Sequence, residues 1–258
     1  MTNFGIRVYG LAAVALGTVG LVWGDFALVW QPVPAGIPGR TLLAYATGAI
    51  LVLAGAALNW PRTAARAGAV LAALYATGII LLHLPHVMAH PTNISPWAGV
   101  AEQLALVVGG FLAYVSSAEM DTALALRLFR LGWRTFGACL LIFGAVHFRY
   151  PDATATMVPK WLPPGQIFWA YATGTAHIVA GLAILSGIQS RRAAIALTVM
   201  FVVFAVLVHA PLIFADPSSH LNWVMNAMNL ALTGAAWIVA DSLSKPGRQA
   251  TCTECGPG

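Results

Sequence analysis

A pattern laid down between residues 38 and 97 returns once, 126 residues later, without a gap. Pro38-Gly39 recurs as Pro164-Gly165, and Ala44-Tyr45-Ala46-Thr47-Gly48 as Ala170-Tyr171-Ala172-Thr173-Gly174. Ala54-Gly55 recurs as Ala180-Gly181, His83-Leu84-Pro85 as His209-Ala210-Pro211, Pro91 as Pro217 and Trp97 as Trp223. A fixed period of this kind marks a duplicated structural unit, so the chain must fold as two copies of one arrangement.

The unit is built for lipid. Only 8% of the 258 residues are charged, against about 25% in soluble domains. Apolar runs of about 20 residues recur, long enough to cross a hydrocarbon core. The pattern predicts an all-α polytopic membrane protein with eight transmembrane helices, near 5–24, 42–60, 67–84, 98–118, 131–148, 167–186, 194–212 and 222–240. Repeat one takes residues 1–118, a cytoplasmic connector 119–130, repeat two 131–241, and a polar tail 242–258. Four helices per repeat is an even number, so both repeats enter from one side and form two parallel four-helix units. The first run lacks a small-x-small cleavage site before Asp25 and is matched by Leu131–Phe148, so it reads as a retained helix.

The net charge of +5 does not point to nucleic acid. The basic residues sit in short segments between apolar runs, where they set orientation. Arg7, Arg62, Arg66, Arg127, Arg130, Arg134, Arg191, Arg192, Lys245 and Arg248 fall on one side; Arg40, Arg149 and Lys160 fall on the other. This bias predicts both termini in the cytoplasm, with the chain in the lipid bilayer of a bacterial-type inner (plasma) membrane.

The outer segments 25–41 and 149–166 are rich in proline, which lacks a backbone donor and fixes φ, so they are expected to break from continuous helix. Gly48, Gly55, Gly174 and Gly181 sit at matching places, as expected for close helix contacts in lipid. Cys139 reads as packing. Cys252 and Cys255 form a lone C-x-x-C, which is two ligands short of a zinc site.

Repeat two resembles the DoxX-like membrane proteins in Gly144, His147-Phe148, Pro151, Val158-Pro159, Leu162-Pro163, Trp169, Tyr171 and Gly174. The resemblance implies a compact four-helix bundle, here duplicated, and a link to respiratory or thiosulfate:quinone oxidoreductase complexes. A redox partner protein is expected as well, because the chain itself offers no clear electron-transfer centre. Many relatives carry a glutamate in the helix after that glycine, where this chain has His177. Repeat one offers Leu51 opposite His177 and Leu21 opposite His147, which would confine a site on these two histidines to repeat two.

Ionisable residues at membrane depth are functional candidates by default. His83 and His209 are the duplicated pair. Facing one another, they would flank a quinone or ligate a haem iron axially; the alternative is that each caps a carbonyl freed by the nearby proline. His86, His90 and His220, with Glu102 and Asp216, form a second group, a weak pattern for a metal and not assigned one. His147 and His177 form the third. Tyr45 and Tyr171 match across the repeats and complete the candidate ligand-binding set of His83, His209, His147, His177, Tyr45 and Tyr171. No catalytic residue is assigned. The reading is a redox-associated membrane subunit binding a quinone or similar apolar ligand in an outer-side pocket. The alternatives are a small transporter and a structural or assembly subunit without a ligand of its own.

Overall fold

The computed structural model describes residues 4–244 and is all-helical among them. Eight helices are long and apolar enough to span a membrane. They are α1 Phe4–Trp23, α2 Arg40–Ala57, α3 Pro61–Ala89, α4 Ile94–Ser117, α5 Thr122–Arg149, α6 Gln166–Ser186, α7 Ser190–Ala215 and α8 His220–Ser242. This is the construction of a multi-pass membrane protein. Cys252 and Cys255 lie outside the described residues.

The helix starts follow the sequence offset. Arg40 and Gln166 open α2 and α6, and Ile94 and His220 open α4 and α8, each pair 126 residues apart. The neighbours follow it too. Within each half, α1 packs on α2, α2 on α3 and α3 on α4, as α5 does on α6, α6 on α7 and α7 on α8. Between halves, α1 packs on α8, α4 on α5 and α4 on α8. Exchanging the two halves leaves this set of contacts unchanged. The most buried helices are α8, α4 and α1, while α2, α3, α6 and α7 form the flanks.

Close approach explains the glycines. A Cβ on Gly55 would stand 2.5 Å from the Gly10 carbonyl oxygen, and one on Gly144 would stand 2.7 Å from that of Gly174. Such contacts leave room for no side chain and let α1 meet α2, and α5 meet α6, backbone to backbone. They also set the register of the first helices. Gly17 packs on Gly48 as Gly144 packs on Gly174, and Gly10 on Gly55 as Gly137 on Gly181. The offset for α1 and α5 is therefore 127, with the extra residue taken up in the proline-rich segment. The counterpart of His147 is thus Gly20, and Leu21 matches Phe148, correcting the pairing expected from the sequence.

Several boundaries differ from expectation, α3 already starting at Pro61. The segment 119–130 is not a separate connector, because α5 starts at Thr122, capped by Asp121, whose carboxylate accepts from the Leu124 amide at 3.0 Å. And α3 and α7 do not stop at their prolines. Each widens into a π turn, Ile79–His83 and Ala205–His209, then continues to Ala89 and Ala215. Pro85 and Pro211 cannot donate to the turn before them. The wider turn moves the Leu84 and Ala210 amides onto Ile79 and Ala205, five residues back.

Tryptophans fasten three helix starts. Trp97, Trp169 and Trp223 are each the fourth residue of their helix, and each indole N–H donates to the carbonyl of the proline six residues earlier, Pro91, Pro163 and Pro217, at 2.9–3.0 Å.

Candidate functional site

The structure treats the duplicated histidines differently. His83 Nε2 meets the Trp30 carbonyl at 3.1 Å. A carbonyl only accepts, so that nitrogen carries the proton. Gln103 donates to the same oxygen at 2.8 Å. His83 therefore anchors the segment between α1 and α2, rather than capping its own helix. His209 is buried, and its Nδ1 has no protein partner. α3 and α7 do not form a packed pair, so the arrangement does not bring His83 and His209 face to face. With Nε2 occupied, His83 is also not free to serve through that atom as an axial haem ligand.

Of the second group, His86 bonds back to the Leu82 carbonyl at 3.1 Å. Asp216 caps a turn, accepting from the Ser218 amide and hydroxyl. No cluster of three metal-ligating side chains occurs among the described residues.

His147 and His177 do come together. They stand on α5 and α6, the pair brought close by Gly144 and Gly174. Their ring centroids are 5.0 Å apart with planes tilted by 44°. Gly174 makes the approach possible, since a Cβ there would stand 2.7 Å from that of His147. His177 is buried, with Phe143 edge-on at 5.7 Å and Phe201 of α7 at 5.8 Å. Tyr171 packs on Phe148, the residue after His147, with ring centroids 5.6 Å apart, and both rings are exposed. Tyr45 lies in repeat one, its hydroxyl against Gly24.

Each of the paired imidazoles points Nδ1 at the carbonyl four residues before it: His147 at Phe143, 2.8 Å, and His177 at Thr173, 2.9 Å. Both Nδ1 atoms must therefore carry the proton, which fixes the tautomer of each neutral ring. Both Nε2 atoms are left as acceptors. A haem would have to lie between opposed imidazoles, and rings 5.0 Å apart and tilted do not enclose one.

A second polar feature was not singled out by the sequence. Asp25 pairs with Arg40 at 2.6 Å. Beside it, a small cavity opens between α1, α2 and the start of α8, with His220 in its wall. His220 was grouped with His86 and His90 in the sequence, but the structure places it instead beside Asp25, and its counterpart in repeat one is Ile94. The signal available was the lone Asp25 after an apolar helix, followed by Arg40 at the start of the next.

A family model described as a domain of unknown function (DUF8561) matches residues 136–240, from the middle of α5 through nearly all of α8. The matched stretch contains His147, His177 and His209. No curated protein and no solved structure matches the chain.

Proposed function

We propose that this protein is a redox-associated membrane subunit that holds a quinone-type apolar ligand at the His147–His177 pair. The observation that carries this reading is the pair itself: two imidazoles from successive helices, packed together among aromatic rings, with both Nε2 atoms turned into acceptors. Such a pair suits a ligand that presents a hydroxyl, which for this class is the reduced, quinol form. A quinone carbonyl accepts and would find no donor on two neutral rings so oriented. When bound, the ligand supplies the electron-carrying chemistry; the chain supplies the two acceptors. The DoxX-like motif, which includes His147-Phe148, Tyr171 and Gly174, supports the same class of ligand and a redox partner protein. Tyr171 is linked to the pair only through Phe148, and His83, His209 and Tyr45 are not part of this reading of the site.

The test is the quinone content of purified protein. Solvent extraction of the wild type should yield quinone in near-stoichiometric amount, and His177→Phe should lose most of it while the protein still folds. Equal content in both would reject the reading.

A further inference from the structure

The place that His147 fills in repeat two is open in repeat one. Gly20 is the counterpart of His147 and Leu51 that of His177, and both line the small cavity beside Asp25. Its volume is about 10 Å³, room for about one water molecule. Repeat one contributes Asp25, Gln31 and Thr47 to the wall; repeat two contributes His220 from the first turn of α8. Repeat two thus has an imidazole from its own α5 at this position, and repeat one borrows one from the other half.

His220 is held in place by Trp23, with ring centroids 5.1 Å apart and planes within 10°. Its Nε2 is buried and has no protein partner. A buried polar nitrogen without a partner is costly, and a cavity with several polar groups at hand is where a water would satisfy it. The remaining groups complement water. The Asp25 carboxylate is an acceptor that already takes the Phe26 amide and Arg40, both at 2.6 Å. Gln31 takes the Ala27 amide through Oε1 at 3.0 Å, leaving its amide N–H groups as donors. Arg40 already balances the charge of Asp25, so the occupant need not be a cation.

We propose that this cavity is a binding site for a single water molecule, which joins His220 Nε2 of repeat two to the Asp25–Gln31–Thr47 wall of repeat one. The water donates to His220 and Asp25 and accepts from Gln31 or Thr47, so three of its four positions are matched, the usual number for a buried water. The two halves are then linked at this end of the bundle through solvent, where the equivalent place in repeat two is filled by protein.

Gly20→Ala tests this by the sign of its effect. A Cβ on Gly20 would stand 3.4 Å from the Asp25 carbonyl oxygen and 3.9 Å from Gly48 Cα, which is ordinary contact. If the cavity is dry, the methyl fills it and favours the helix, and Tm rises. If a water is bound, the methyl displaces it and Tm falls by roughly 2–4 °C. His220→Phe supplies the second arm, because it keeps a ring on Trp23 and removes the nitrogen. In that background Gly20→Ala should no longer lower Tm. A rise in the wild-type background would overturn the proposal. So would an equal fall in both backgrounds, which would mean a clash rather than a displaced water.

Discussion

A carbonyl oxygen accepts hydrogen bonds and never donates, and this fixes a proton on His83, His86, His147 and His177. The consequences differ by residue. For His83 the bond is structural, because Trp30 O also takes Gln103. His83→Phe or Gln103→Leu alone should cost about 0.5–1.5 kcal/mol, one hydrogen bond each. Together they should cost more than the sum, since the last donor to a part-buried carbonyl is then gone. Thermal unfolding of the two single variants and the double variant checks this, and quinone content should not change. The sequence singled out the right residue types at membrane depth, and the succession of α5 and α6 already allowed His147 and His177 to converge; what it could not show is that the duplicated pair does not. His83 and His209 match in sequence and differ in surroundings: His83 lies over Gly99, where a Cβ would come within 2.6 Å of its Nδ1, and repeat two has Met225 there. His147 and His177 have no duplicate, and they are the pair that meets.

At the scale of the element, the glycine contacts and the tryptophan staples carry the packing. Gly144→Ala forces a methyl into the Gly174 carbonyl and the Ile178 side chain. It should destabilise by about 1–3 kcal/mol, the usual range for overpacking, and should separate His147 from His177, so ligand content should fall with stability. Trp223→Phe removes one indole bond and should cost about 0.5–1.5 kcal/mol without touching the site; its Tm should drop while bound quinone is retained. The glycine spacing of seven was legible in the sequence because small residues at helical intervals have few other uses in lipid. The ends of α3 and α7 were not, because proline ordinarily stops a helix. Here the π turn before it takes up the missing donor, and that choice depends on tertiary packing. The one-residue shift between α1 and α5 was hidden in the proline-rich segment, where no repeated residue marks it.

For the whole molecule, the apolar runs were enough to give the eight helices, since length and hydropathy mark them; which helices pack together was not legible, because contacts such as α1 on α8 depend on tertiary structure. The cavity at Asp25 was not accessible to that reasoning, because it lies where the two halves differ. Orientation rests on the basic residues and has a direct check. With Glu119→Cys and Ser95→Cys placed at opposite ends of α4, a membrane-impermeant thiol reagent added outside intact cells should label Ser95→Cys alone. Labelling of Glu119→Cys instead would invert the assignment.

In the proposed function the His147–His177 pair accepts a hydroxyl from a quinone-type ligand, so the affinity of the purified protein for one short-chain ligand in its two redox forms, followed by tryptophan fluorescence under anaerobic conditions, should depend on redox state. The quinol should bind at least about tenfold more tightly than the quinone, roughly the 1.4 kcal/mol that a matched hydrogen bond confers, and His177→Phe should abolish the preference. Equal affinity for the two forms, or a preference that survives in His177→Phe, would contradict it.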